Sequence, residues 1–413
     1  FSGYLNQEDC NFGVMPSILF TRLLSLSATM LLCLILLSCS IEETAFQKDL
    51  AFLQQYDSVI ILSKGESKVV VSARYQARVF TSTPGDGASY GWVNYPVFDA
   101  APDPHMNAYG GENRIWLGPE GGPFSLFFPG GFIMDFANWR IPPAFDTEPW
   151  ELIQHNDTIA VMEKDIDLVN YAGTELSINA SRKIKILGRS EITKMLGINY
   201  GKDVSVVAYL TDNAIVNTGR QAWTDSTGMP CIWILDMFPP SGQTTIVIPY
   251  SNQGRGSPVN TSYFGEIPRD RIRYDQGVVF FKGDGQRRSK LGILPASAKN
   301  LAGSYDPGRK KLTIVVFDLD PAAPYLNQEW NTREPAFSGD AVYAYNDGPL
   351  EDGRILGPFY ELESVSPAAF LQPGETLNHR HSVFHFSGDE AGLDSISRKT
   401  LGVSLEQIRN AFR

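Results

Sequence analysis

The 413 residues carry 46 Asp and Glu against 35 Lys and Arg, a formal net charge of −11. An acidic chain repels phosphate backbones, and no basic run interleaved with aromatics occurs, so nucleic acid is excluded as a partner. The cysteines are Cys10, Cys33, Cys39 and Cys231, too few and too scattered for a disulfide framework, so the fold must hold by its hydrophobic core.

Taken in chain order, Ile18 to Leu37 is almost wholly apolar, with Arg22 ahead of its densest part, and it ends in Leu36-Leu37-Ser38-Cys39. A basic residue, an apolar run and a small residue before a cut site are the marks of a secretory signal. The run is also about long enough to span a bilayer, which leaves an uncleaved helix as the alternative. Leu-Leu-Ser-Cys resembles the bacterial lipobox, which implies cleavage before Cys39 and a lipid on its thiol. The expected location is then the outer membrane, facing the periplasm or the cell surface, with the membrane as a partner through Cys39. Met15 reads as the start, and residues 1–14 as upstream sequence. The acidic pair after Cys39, Glu42-Glu43, resembles a surface-export signal or is a solvated linker. The expected organisation is upstream residues and lipoprotein signal peptide over 1–38, lipid-anchored linker and helix over 39–56, and one large domain over 57–413.

Phe46, Leu50 and Leu53 recur at helical spacing, so Glu42 to Tyr56 is expected to be a helix. Short strands punctuated by Gly, Pro, Asn and Asp follow: Val59–Leu62, Lys68–Ser72, Gln76–Thr81, Ile159–Glu163, Glu175–Ala180, Arg182–Leu187, Val204–Thr211, Thr244–Pro249, Val278–Phe281, Leu312–Phe317 and Phe359–Ser364. Between residues 57 and 390 only Ser190–Leu196 reads as a short helix. Ser404-Leu405-Glu406-Gln407 has the capping-box form and opens a terminal helix to Phe412. The 37 Gly and 26 Pro are spread along the chain, where they mark turns and not a linker. The expected fold is therefore mostly β: one large antiparallel β-sandwich with short N- and C-terminal helices. The long aperiodic loop Gly85 to Asn113 is expected to serve function.

Chemistry concentrates in Tyr109-Gly110-Gly111-Glu112-Asn113-Arg114-Ile115-Trp116-Leu117-Gly118-Pro119-Glu120-Gly121-Gly122. Arg offers a rigid fork of donors, Asn both donors and an acceptor, and Glu acceptors, a set suited to hydroxyl groups. Trp116 supplies an apolar face for a sugar ring. The alternative is a tight strand corner with an internal Arg–Glu pair.

Gly111-Glu112-Asn113-Arg114-Ile115 resembles the aldose 1-epimerase (galactose mutarotase) superfamily, in which an Asn-Arg pair after a Gly lies in the sugar site. Phe359-Tyr360-Glu361-Leu362-Glu363-Ser364-Val365-Ser366-Pro367, followed by Leu371-Gln372-Pro373-Gly374-Glu375, resembles that family's late strand and turn. Lys290-Leu291-Gly292 and Leu312–Phe317 resemble its middle region. The likeness is nearest to an uncharacterised branch of Bacteroidetes lipoproteins. It implies a large antiparallel β-supersandwich with a sugar in its concave face, a Glu as general base and a His as general acid.

Glu361 and Glu363 are the candidates for the base. They are two apart on a strand, so both face one side, and the spacing to Pro367 favours Glu363. The segment Tyr209–Gly219 offers Asn213 and Asn217 but no His, so His105, in the long loop, is the candidate acid. Lys290 either sits in a solvated turn or reaches the groove to bind a carboxylate, which would suit a uronic acid. His379, His381 and His385 share parity on the last strand; they form either a polar outer face of an edge strand or two thirds of a metal site. Asn113, Arg114, Trp116, Glu120, Asn213 and Lys290 are thus the expected substrate contacts, Glu363, Glu361 and His105 the expected catalytic groups, and no metal or cofactor is required. The expected function is a carbohydrate-binding, carbohydrate-modifying surface lipoprotein, acting on a mono- or oligosaccharide as an epimerase-like isomerase or a lyase or hydrolase. A non-catalytic, complex-forming surface lipoprotein is the alternative.

Overall fold

Long strands with strict alternation set the architecture. In the computed structural model, Glu175–Ile186 and Val204–Asn217 bury every second side chain over most of their length, the signature of a sheet with one covered face. The model describes residues 43–252, 257–350, 353 and 355–413. The apolar run before Cys39, and Cys39 itself, lie outside them. Thr44–Arg413 forms a single compact unit.

Three antiparallel sheets make up the unit. Ile60–Lys64 (β1), Ser67–Ser72 (β2) and Arg78–Thr83 (β3) form the first. The second runs in the order Val259–Asn260 (β11), Ser289–Ile293 (β14), Val342–Asn346 (β17), Tyr360–Val365 (β18), Cys231–Phe238 (β9) and Arg114–Gly118 (β4). The third runs Ile272–Asp275 (β12), Val278–Lys282 (β13), Thr245–Pro249 (β10), Leu301–Asp306 (β15), Lys311–Phe317 (β16), Thr376–Gly388 (β19), Val204–Asn217 (β8), Glu175–Ile186 (β7), Ile159–Val169 (β6) and Glu151–His155 (β5). The second sheet lies on the third, and their shared interior holds Ile115, Ile234, Leu362, Ile184, Ile215 and Val383, all buried. Each such aliphatic side chain contributes about 1.5–3 kcal/mol by leaving water.

The five α-helices among the described residues are short: Ala45–Leu53 (α1), Pro143–Asp146 (α2), Arg189–Leu196 (α3), Glu390–Thr400 (α4) and Leu405–Asn410 (α5). Thr44 and Gln47 close a capping box on α1, and Ser404 and Gln407 close one on α5. Leu393, Ile396, Leu405 and Ile408 press onto Leu312, Ile314, Phe384 and Phe386, so α4 and α5 cover the outer face of the third sheet. Helix α4 was not expected from the sequence: Gly392 and two serines dilute its pattern, yet Asp389 caps it and Leu393 and Ile396 anchor it.

The expected strands exist, often longer than anticipated; Glu175–Ala180 and Arg182–Leu187 merge into β7. Strand β9 is a new element, because all eight of its residues are buried and it shows no alternation. Strand β19 is internal, paired with both β16 and β8. This overturns the edge-strand reading of its histidines.

Candidate functional site

The register of the second sheet sorts its residues onto two faces. Arg114 pairs with Leu235, Leu235 with Glu363, and Glu363 with Tyr343; two residues along the strand, Glu361 pairs with Tyr345 and Tyr345 with Lys290. Paired residues share a face, so Arg114, Trp116, Trp233, Glu361, Glu363 and Lys290 all project to the side away from the third sheet. A cavity of about 360 Å³ opens there, lined by Arg114, Trp116, Glu120, Lys290 and Glu361 from this face and by His105 from the long loop. Trp139, Trp233, Trp330, Phe136 and Phe264 supply aromatic walls.

Two ion pairs form the floor. Arg114 Nη2 donates to Glu361 Oε1 at 2.7 Å, and Lys290 Nζ donates to Glu363 Oε2 at 2.9 Å, with all four side chains nearly sealed. The Arg114 guanidinium lies 4.3 Å from the Trp116 ring centre, and Lys290 Nζ lies 4.7 Å from those of Trp233 and Tyr343, so each cation is also held over an aromatic face. The solvated-turn reading of Lys290 is thereby corrected: the residue belongs to β14 and is buried.

The carboxylates differ in what they can do. Burial pushes the Glu361 carboxyl up to about 7; Arg114 opposes that shift and the neighbouring Glu363 adds to it. Burial likewise raises Glu120, offset by Lys290, while Trp139 Nε1 donates to Glu120 Oε1 at 3.0 Å. Glu363 does not line the cavity; Trp233 Nε1 and Lys290 Nζ both donate to its Oε2, each at 2.9 Å. Of the two, Glu361 is the one that faces the cavity, and Glu363 holds Lys290 and Trp233 in place beneath it. His105 stacks on Phe136 at 4.7 Å, and its Nδ1 lies 2.7 Å from Arg140 Nη1. The same Nδ1 lies 2.9 Å from the Trp139 carbonyl, an acceptor, whereas the Arg140 guanidinium is a donor, so the two contacts call for opposite tautomers of the ring.

Two expected contacts lie elsewhere. Asn113 and Asn213 are fully buried between the sheets. Asn113 precedes Arg114 by one residue and so takes the opposite side, where its Nδ2 donates to Asp236 and its Oδ1 accepts from Arg182. Asn213 donates to the His379 carbonyl at 2.9 Å. The three late histidines join the same interior. His379 Nε2 and His381 Nδ1 each lie 2.8 Å from Ser364 Oγ, His381 Nε2 lies 2.8 Å from Asp236, and His385 Nε2 lies 3.0 Å from Glu112. Burial holds the His379 ring neutral, its pKa lowered to about 3. Among the described residues no group of three metal-ligating side chains is assembled.

Arg288 and Trp330 line the cavity without having been singled out. Arg288 stands 3.9 Å from the Phe264 ring centre and donates from Nε to the Tyr345 hydroxyl at 3.2 Å. Its place two residues before Lys290 was the available signal, since alternation puts both on one side.

Fold and cavity together define a mostly β sandwich protein with a charged, aromatic-walled pocket on the outer face of its smaller main sheet. The chain belongs to the family of unknown function DUF6786, whose model matches residues 44–412. No curated protein matches it. Among solved structures it is similar to a putative aldose 1-epimerase of Escherichia coli K12, at 15% identity over 79% of this chain and 98% of that one, with a TM-score of 0.46. It is similar also to a protein of Synechocystis sp. PCC 6803, at 13% identity over 81% and 96% with a TM-score of 0.48. A galactose mutarotase-like protein of Lactobacillus casei ATCC 334 gives 10% identity over 79% and 100% with a TM-score of 0.45.

Proposed function

We propose that the chain binds a saccharide in the cavity on the second sheet, with Glu361 as the group that moves a proton at the bound sugar. The observation that carries this reading is the Arg114–Glu361 pair set under aromatic walls. Aromatic faces take the C–H side of a sugar ring, while fixed donors and acceptors take its hydroxyls. The volume of about 360 Å³ falls at the small end of ligand pockets, roughly 300–1,000 Å³, which suits a monosaccharide or one residue of a longer glycan. A carboxyl that titrates near neutrality can both accept and return a proton at pH 7. Glu120, also raised, and His105 are the partners that would complete an acid–base pair. Of the residues the likeness to the aldose 1-epimerase pattern points to, Arg114 and Glu361 fit this reading, whereas Asn113 and Glu363 lie outside the cavity.

Screening the protein on a saccharide array tests the binding step, and anomer interconversion of any hit followed by NMR tests the chemical one. Glu361→Gln is expected to keep binding within a few-fold and lose interconversion. A variant that interconverts at the native rate would remove Glu361 from the chemistry. An empty array would remove the saccharide reading.

The Leu36–Cys39 motif supports attachment to the outer membrane through a lipid on Cys39. Labelled palmitate should enter the native chain and not Cys39→Ser, and the variant should leave the membrane fraction; equal labelling of both would exclude this anchor.

A further inference from the structure

A second cavity, of about 860 Å³, lies on the far side of a Trp92–Phe359 stack (ring centres 4.9 Å apart) from the first: Trp92 lines the second and Phe359 the first. Its wall includes Lys311, the first residue of β16, which is only 3% exposed. Lys311 Nζ lies 5.3 Å from the Tyr90 ring centre and 5.8 Å from that of Phe238, and it makes no hydrogen bond or ion pair with any described residue. The nearby carboxylates act on it through space without bonding it. Glu112 accepts from Ser82 and His385 through Oε1 only, its buried Oε2 making no hydrogen bond, and Asp306 accepts from the backbone of Gly308 and Arg309 and pairs with the Arg309 side chain. The Tyr90 hydroxyl, in the same wall, is buried and makes no hydrogen bond of good geometry; its neighbour Ser387 instead donates to Asp86 at 3.2 Å. An ammonium removed from water without a hydrogen-bonded counter-charge is costly, and an unmade buried hydrogen bond adds to the cost. Burial accordingly lowers the Lys311 pKa to about 8, with Arg309 adding to the shift and Asp306 and Glu112 opposing it, which still leaves the amine largely charged at pH 7. Chains keep such destabilising groups where function uses them.

We propose that this cavity is a second ligand site, separate from the saccharide pocket, which takes a small organic carboxylate on Lys311 Nζ and the Tyr90 hydroxyl. The two groups offer the cavity donors, and a carboxylate is an acceptor-only group with two oxygens to meet them. A carboxylate there supplies the hydrogen-bonded ion pair that Lys311 lacks among the described residues. Asp49 and Asp86 in the same wall disfavour a dianion such as phosphate.

Thermal melting and calorimetry of the full chain at pH 7, with sodium acetate, sodium phosphate and sodium chloride at matched ionic strength, test the site. In chloride, Lys311→Met is expected to melt above the native protein, because methionine fills the same space without the charge. Acetate should raise the native melting temperature and bind at least tenfold more weakly to Lys311→Met. Tyr90→Phe, which keeps the ring and deletes the hydroxyl, should show a reduced acetate shift. An acetate response identical in the native protein and Lys311→Met would overturn the proposal, as would a phosphate shift larger than that of acetate. Should Lys311→Met not fold, an acetate response in Tyr90→Phe equal to the native one would do the same. None of these outcomes bears on the saccharide pocket, whose binding is read separately on the array.

Discussion

The two faces of the second sheet carry similar polar chemistry to opposite ends. On the inner face, Asn113 bonds Asp236, and these two and Ser364 hydrogen-bond to Arg182, His379 and His381 of the third sheet, with no exit to solvent. On the outer face, Arg114–Glu361 and Lys290–Glu363 lie under a cavity. A buried network cannot exchange partners with a ligand and serves to fix the pairing of two sheets. The same residue types beside open space can. Polar side chains in a strand therefore do not mark a site until their face is known.

The sharpest way to break the comparison is to remove a hub of the inner network. Asp236→Ala strands His381, Asn113 and Arg182 in the interior and should cost about 3–5 kcal/mol in urea unfolding. A loss under about 1 kcal/mol would mean that the inner network is slack and no different in kind from the outer face.

The outer face should instead announce itself through pH. Glu361 holds its proton up to about 7 in the folded chain and only to its ordinary value of 4.5 when unfolded. Between those values the folded state binds more protons, so stability falls as pH rises through that window and levels off above it. The fall is on the order of 3 kcal/mol at most, since one proton bound across each pH unit is worth about 1.4 kcal/mol. Glu361→Gln should flatten it, which a series of urea melts from about pH 4.5 to about pH 7.5 would show; an unchanged slope would place the titration elsewhere.

Smaller effects separate the faces further. Asn213→Ala deletes a buried donor to the His379 carbonyl and should cost about 1–3 kcal/mol while saccharide affinity stays within twofold. Trp139→Phe keeps a ring in the cavity wall and deletes the donor to Glu120, so affinity should weaken by a few-fold, about 1 kcal/mol, with stability nearly unchanged. Calorimetry paired with unfolding curves reads both, and the reverse pattern in either variant would contradict the assignment of faces.

Much of this was legible in the sequence. Alternation found β7, β8 and the late strand, and parity put Glu361 and Glu363 on one side. Arg114, Trp116, Glu120, Lys290 and His105 were singled out by residue type, and the fold brings all five to the cavity. The errors share one cause. Grouping Asn113 with Arg114 as a motif ignored that neighbours on a strand point oppositely. Asn213 and the histidines of β19 looked like surface chemistry because nothing local reveals that a second sheet covers them. Choosing between Glu361 and Glu363 required knowing that Trp233 Nε1 and Lys290 Nζ reach the latter, and that contact joins strands about 70–130 residues apart. The second cavity was foreshadowed only by the long loop Gly85–Asn113, whose residues between Asp86 and Pro96 line it; Lys311 itself opens an otherwise ordinary buried strand.

The most direct test sets two adjacent residues against each other. Saccharide affinity should be measured for Arg114→Lys, which keeps the charge but loses the fork held over Trp116 and on Glu361, and for Asn113→Ser, which disturbs only the inner network. Affinity is predicted to drop at least tenfold in the first and to stay within twofold in the second, although the second is the less stable protein. Equal affinity in the two variants, or the larger loss in Asn113→Ser, would contradict the assignment of the ligand to the outer face.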